Sequence, residues 1–242
     1  MRVPRIHTDQ PLADHARVQL EPGPSQHLSR ALRMGPGDVL VVFNGAGGEY
    51  GAHIVDCSKK SVTIELDRHN AVELESPLAI HLGIGLSRGE RMDWVVQKAT
   101  ELGARSITPL TTLRSEVKLS GDRSQRKLRH WRQVAISACE QCGRNRLPDI
   151  NAPSALDTWA QQLDVDCALL LDHRAGNRAL PDAARSAALL IGPEGGLADQ
   201  EIERATALGF QSLQLGPRVL RTETAPLGAI AILQARWGDM GS

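Results

Sequence analysis

"SAALLIGPEGGLADQEIERATALG" (residues 186–209) reads as one strand–turn–helix unit. It has a short apolar run, a burst of Gly, Pro and Glu, and an acidic helical opening that stops at Gly209. The run carries no polar alternation, which marks a strand buried on both faces. The same pattern recurs on either side. Strands are expected in "LAIHLGIGL" (78–86), "SITPL" (106–110), "DCALLLD" (166–172) and "SLQLG" (212–216). Helices are expected in "GERMDWVVQKATELGA" (89–104), "DRSQRKLRHWRQVAISACEQCG" (122–143) and "APLGAIAILQARWG" (225–238), the last with Pro226 in its first turn. Unbroken apolar strands alternating with helices predict an α/β domain, a parallel sheet covered on both faces. Glycines at a strand-to-helix turn allow something to approach the backbone. The ligand must then tolerate Glu194 in the middle of the turn.

The residues before 75 have a different texture. "VLVVF" (39–43), residues 50–56 and "SVTIELDRH" (61–69) read as strands, the first two joined by a Gly-rich turn at 44–48. "PSQHLSRALRM" (24–34) reads as one short helix. Short strands, tight turns and one helix suggest a small β-barrel, so two domains are expected, 1–74 and 75–242. No apolar run reaches membrane length, and "MRVPRIHTDQ" lacks the apolar core of a signal peptide, so a cytoplasmic protein is expected. The four cysteines fit a reducing compartment.

A net charge of zero conceals a strong asymmetry. Residues 1–113 carry 12 Lys+Arg against 13 Asp+Glu (net −1), 114–146 carry 9 against 3 (net +6), and 147–242 carry 7 against 12 (net −5). The central basic block is either a surface for a phosphate backbone or a solvated helix face. Trp131 within it offers a stacking ring, although a core tryptophan is the simpler reading.

Several motifs lead nowhere. Gly83, Gly85 and Gly89 imitate a dinucleotide fingerprint, but the third glycine comes one position late and no acidic residue follows a second strand. Cys139 and Cys142 form a C-x-x-C inside a helix with no second pair, which argues against zinc. No Walker lysine occurs. The informative positions are three strand ends, "LLLDHRAG" (169–176), "LLIGPEGG" (189–196) and "LQLGPRVLRTETAPLG" (213–228). Open parallel sheets bind ligands at the carboxyl ends of their strands, and these loops carry more functional groups than a simple connection needs.

With these loops in place, the chain resembles the 16S ribosomal RNA uracil-N3 methyltransferases of the SPOUT superfamily. The resemblance rests on "GLSRGERMDWVVQKATELGARSITPL" (85–110), "KLRHWRQVAISACEQCGRNRLPDI" (127–150), "LLIGPEGGL" (189–197) and "LQLGPRVLRTETAPLGAI" (213–230), with "HLSRALRMGPGD" and "GAGGEY" near the N-terminus. It spans almost the whole chain. It implies a PUA-like RNA-binding barrel at 1–74 and a SPOUT domain at 75–242 whose last segment forms a deep trefoil knot. It also implies a homodimer, S-adenosyl-L-methionine as cofactor, no metal, and one uridine of the small ribosomal subunit as target. Nothing in strand periodicity points to a knot.

That cofactor has an adenine, a ribose and a sulfonium but no phosphate, which agrees with the missing Walker lysine. The expected cofactor shell comprises Leu170, Leu171, Ile191, Gly192, Pro193, Glu194, Gly195, Gly196, Leu215, Gly216, Val219, Leu220, Arg221, Thr224 and Ala225. Methylation at N3 leaves negative character on O2 and O4, which suits Arg221 first and Arg218 second. Glu223 or Glu194 is expected to accept the N3 proton or orient the base. A structural ion pair between Arg221 and Glu223 is the alternative. Arg2, Arg5, Arg30, Arg33, Arg88, Arg114, Lys118, Arg126, Arg144 and Asn145 are expected to meet RNA. Arg88 stands where the family has lysine. Ala198 replaces a serine cap, so Asp199 is expected to cap the following helix. Two other functions fit the same residues: a SPOUT enzyme acting on another RNA, and a non-catalytic ribosome-assembly factor.

Overall fold

The computed structural model describes residues 3–58, 60–117, 119–172, 176 and 179–241, so Arg2 and Lys118 lie outside the described residues. The chain divides into two units, 1–75 with 139–147, and 76–138 with 148–242. A single cut near residue 75 therefore misses the return of 139–147 to the first unit.

In the first unit, β1 (Arg5–His7), β2 (Arg17–Gln19), β3 (Val39–Phe43), β4 (Glu49–Cys57) and β5 (Val62–Asn70) form one sheet in the order β1-β3-β4-β5-β2. β1 pairs with β3 in parallel, and the other pairings are antiparallel. Helix α1 (Pro22–Gln26) runs on into a π-helical turn at His27–Ala31. The two-residue period sends Leu40, Val42, Ala52, Ile54, Val62, Ile64 and Leu66 into the core. β1 and β2 escape a sequence reading because three residues are too few to show a period.

The second unit contains β6 (Ala79–Gly85), α2 (Arg91–Glu101), β7 (Ala104–Thr111), α3 (Gly121–Cys142, up to residue 138), β8 (Asp149–Ile150), β9 (Ser154–Ala155) and α4 (Leu156–Gln161). It continues with β10 (Cys167–Leu171), β11 (Ser186–Ile191), α5 (Asp199–Ala207), β12 (Gln211–Leu213) and α6 (Ala225–Trp237). Its seven strands are parallel, in the order β12-β10-β11-β6-β7-β8, with β9 also on β7. The unbroken strands are explained by two cores. Ala187, Leu189 and Ile191 join Val95 and Val96 of α2, Trp131 of α3 and Ile230 and Leu233 of α6. Ala188 and Leu190 join Leu156 and Trp159 of α4 and Ala205 of α5. Alternate residues thus face opposite helical layers, and every position must be apolar.

Trp131 is 2% exposed and its Nε1 donates to Asp93 Oδ1 at 2.9 Å, so it packs the core and offers no stacking ring. Two of the three false dinucleotide glycines serve packing. A Cβ at Gly83 would lie 2.5 Å from the Trp159 ring, and one at Gly85 would lie 2.5 Å from Pro193. Gly103, Gly143 and Gly209 follow helices with φ of +83°, +96° and +93°, the left-handed stop expected of them. Burial pushes the Cys139 thiol up to about 12, which makes it a protonated core residue. Among the described residues no helix is long and apolar enough to cross a membrane, and no cluster of three metal-ligating side chains occurs.

Candidate active site

The strand order sets the C-terminal ends of β12, β10 and β11 side by side, with β6 beyond β11. A cavity of about 270 Å³ lies among residues that follow these ends. Leu170 and Leu171 end β10 with Asp172 just beyond, Ile191 ends β11 with 192–197 in the loop after it, and Leu213 ends β12 with 214–216, 218–220 and Thr222 in the loop after it and Ala225 at the start of α6. Leu170, Leu171, Leu215 and Leu220 are among its apolar wall residues. The whole expected cofactor shell lines the cavity except Arg221 and Thr224. Arg221 is exposed, and its carbonyl accepts the N–H groups of Thr224 and Ala225 at 2.9 Å, turning the chain into α6. Asp172, Gln214, Thr222 and Arg114 also line the cavity; none of them was expected in the cofactor shell, and Arg114 was expected to meet RNA. Arg114 is remote along the chain, whereas the other three lie within the strand ends 169–176 and 213–228 that the sequence singles out.

Two glycines of the glycine-rich loop are required by its own path. A Cβ on Gly192 would fall 2.7 Å from the backbone of Gly196 and Leu197, because the loop folds back on itself. Gly196 has φ +68° with open space beside it, and its N–H donates to the Pro193 carbonyl at 2.8 Å. An internal close approach at 192 and a left-handed turn at 196 thus each call for glycine.

Glu194 is held from outside the loop. Its Oε1 accepts the Arg88 N–H at 3.0 Å and a second hydrogen bond from Arg91 Nη1. Desolvation pulls this carboxyl upward, but the N–H groups of Glu194 and Arg88 and the Arg91 guanidinium outweigh it, leaving the group below its ordinary value. Arg114 Nη1 donates to the carbonyls of Gly195 and Leu197, each at 3.1 Å. Glu201, 2% exposed, accepts the N–H groups of Ala198 and Leu113, both at 2.8 Å. The N-cap of α5 is Ala198, and Glu201 reaches back to its N–H, so Asp199 does not cap the helix.

The second loop is tied differently. Glu223 lies 3.7 Å from Arg91 Nε, so its ion pair is with Arg91 and not with Arg221. Arg218 and Arg221 are exposed and have no carboxylate partner among the described residues.

The expected RNA-binding set splits. Arg30, Arg33 and Arg126 are exposed. Arg88 is exposed and pairs with Glu116 at 2.6 Å. Arg114 is exposed, but its guanidinium is spent on the loop carbonyls. Arg144 and Asn145 are 4% and 0% exposed, which removes them from an RNA-facing surface. Arg144 grips both oxygens of Glu75, at 2.9 and 2.7 Å. Arg5 pairs with Glu49 and donates to Asn145 Oδ1 at 2.6 Å, so it too is internal wiring of the first unit. Arg123, Arg126, Lys127 and His130 form a shallow basic concavity on α3, where His130 Nε2 lies 2.7 Å from Asp93 Oδ2.

An RNA methyltransferase domain family matches residues 74–234, and an RNA methyltransferase PUA domain family matches 25–67. The chain is 34% identical over 242 residues to ribosomal RNA small subunit methyltransferase E of Buchnera aphidicola subsp. Schizaphis graminum, covering 99% of this chain and 98% of that one. Among solved structures, a protein assigned as a methyltransferase from Legionella pneumophila, complexed with SAM, superposes with TM-score 0.96 at 41% identity. That match covers 99% of this chain and 100% of the other. Ribosomal RNA small subunit methyltransferase E from Neisseria gonorrhoeae, bound to S-adenosyl methionine, gives TM-score 0.92 at 33% identity, covering 98% and 99%.

Proposed function

The chain belongs to the ribosomal RNA small subunit methyltransferase E family of RNA methyltransferases, and from that premise we propose that it methylates N3 of one uridine in 16S ribosomal RNA with S-adenosyl-L-methionine as donor. The observation that carries this reading is the cavity built by the loops after β10, β11 and β12. Its lining fits that cofactor: leucine walls for an adenine, the backbone of 214–216 and 218–220 along one side for the adenine edge, and no lysine among the described lining residues such as a phosphate would call for. The cofactor, when bound, supplies an electrophilic methyl group on a sulfonium.

The side chains of this chain do the rest. Arg221 and Arg218, exposed beside the cavity, stabilise the negative charge that develops on O2 and O4 as N3 loses its proton. Glu194 accepts hydrogen bonds from both Arg88 and Arg91, whereas Glu223 has only the longer 3.7 Å pair with Arg91, which makes Glu223 the better proton acceptor. The exposed Arg30, Arg33 and Arg126 bind RNA phosphates, and the target base unstacks to enter the cavity. The same reading carries a homodimer, a trefoil knot in the second unit and a cytoplasmic substrate.

Transfer of tritiated methyl groups to ribosomal RNA from a strain lacking the enzyme tests it. Label on uridine N3 in 16S RNA is expected. Label on a ribose 2′-oxygen would refute the substrate, and RNA binding without any transfer would favour an assembly factor.

A further inference from the structure

Arg91 is the first residue of α2, where a cation opposes the helix dipole, so helix stability does not explain its presence. What surrounds it does. Its Nη1 donates to Glu194 in the loop after β11, and its Nε lies 3.7 Å from Glu223 in the loop after β12. One guanidinium thus spans two carboxylates from the two loops that form most of the cavity wall. The remaining ties of the first loop run elsewhere, to Arg114 and, through Glu201, to Leu113. Among the described residues, the pair with Arg91 is the sole ion pair that 214–224 makes.

Resting on the cofactor assignment above, we propose that Arg91 is a positioning residue. It sets the separation of the two loops that hold S-adenosylmethionine, and it does so without entering the cavity. The planar guanidinium, with donors along more than one edge, suits a bridge between two acceptors, and an ammonium is a single compact charge. Loss of the guanidinium leaves Glu194 and Glu223 to repel one another across the mouth between the loops. The low position of the Glu194 carboxyl agrees with a guanidinium held against it.

The test is a double-mutant cycle on the full-length protein, read by calorimetric titration with S-adenosylmethionine and by thermal unfolding. Arg91→Met should weaken cofactor binding about fivefold or more, with a smaller loss of kcat at saturating cofactor. Glu223→Gln should weaken it in the same direction, and the double variant should be no worse than Arg91→Met alone. Arg91→Lys should recover part of the affinity. Binding by Arg91→Met within about twofold of wild type overturns the proposal, as do losses at 91 and 223 that simply add. A lower melting temperature with unchanged affinity also overturns it, since that is what a purely structural ion pair gives. Glu223→Gln keeps the test decisive if Arg91→Met does not fold. Failure of the wild-type protein itself to bind S-adenosylmethionine would instead bring down the cofactor assignment, and the proposal with it.

Discussion

Arg144 and Arg221 are the same residue type in two polar, arginine-rich segments, and the structure uses them in opposite ways. Arg144 is buried in the first unit with both oxygens of Glu75 on its guanidinium. Arg221 is exposed beside Leu220 and Thr222, which line the cavity, and no carboxylate among the described residues claims it. A buried cation must have a fixed partner, because an unpaired charge away from water is strongly destabilising. An exposed cation without a partner contributes little to folding and remains available for charge that appears only during reaction. Partner and burial therefore separate structure from chemistry where sequence shows two similar arginines.

The contrast breaks most visibly at Arg144. Arg144→Ala strands Glu75 in a partly buried site and should lower stability by about 3 kcal/mol, measured by denaturant unfolding. A loss below about 1 kcal/mol would mean that the pair is expendable. Arg221→Ala should leave unfolding unchanged and cofactor affinity within about twofold, while kcat falls about a hundredfold or more. If affinity and turnover drop together, Arg221 belongs to the cofactor shell after all.

Gly85→Ala probes the floor between these extremes. A methyl there meets Pro193 at 2.5 Å and should cost about 1–3 kcal/mol through overpacking. It should also weaken cofactor binding, because the atom displaced is backbone of the glycine-rich loop; unchanged binding would show that the loop tolerates the shift. The smallest effect concerns pH. The Glu194 carboxyl sits below its ordinary value of 4.5. Its tie to Arg88 and Arg91 is therefore fully present above that value and fades as pH falls through the lowered one. Cofactor affinity should hold from neutral pH down to about 4.5 and decline below it, and Glu194→Gln should flatten that decline. An equal decline in the Gln variant would assign the effect to another group.

Much of this molecule was legible in the chain. Unbroken runs such as 186–191 could only be strands covered on both sides, and the glycines at 103, 143 and 209 stopped helices where expected. The lengths and residue types of the loops after β11 and β12 singled out the cavity. Local preference and periodicity report how a residue meets core or solvent, and that information is carried within a few neighbours.

The partners of the charged groups were beyond that reach. Glu194 finds Arg88 and Arg91 because β6 and β11 are parallel neighbours, which brings the loops at their C-terminal ends together although they are about a hundred residues apart in the chain. Arg114 reaches the carbonyls of Gly195 and Leu197 from beyond β7, the next strand over. Arg144 reads as an RNA contact until Glu75 is seen against it. Sequence alone determined the strands, the helix stops and the two loops. Strand order decided which charges neutralise each other and which stay free, because a long-range ion pair depends on three-dimensional adjacency that no local pattern encodes.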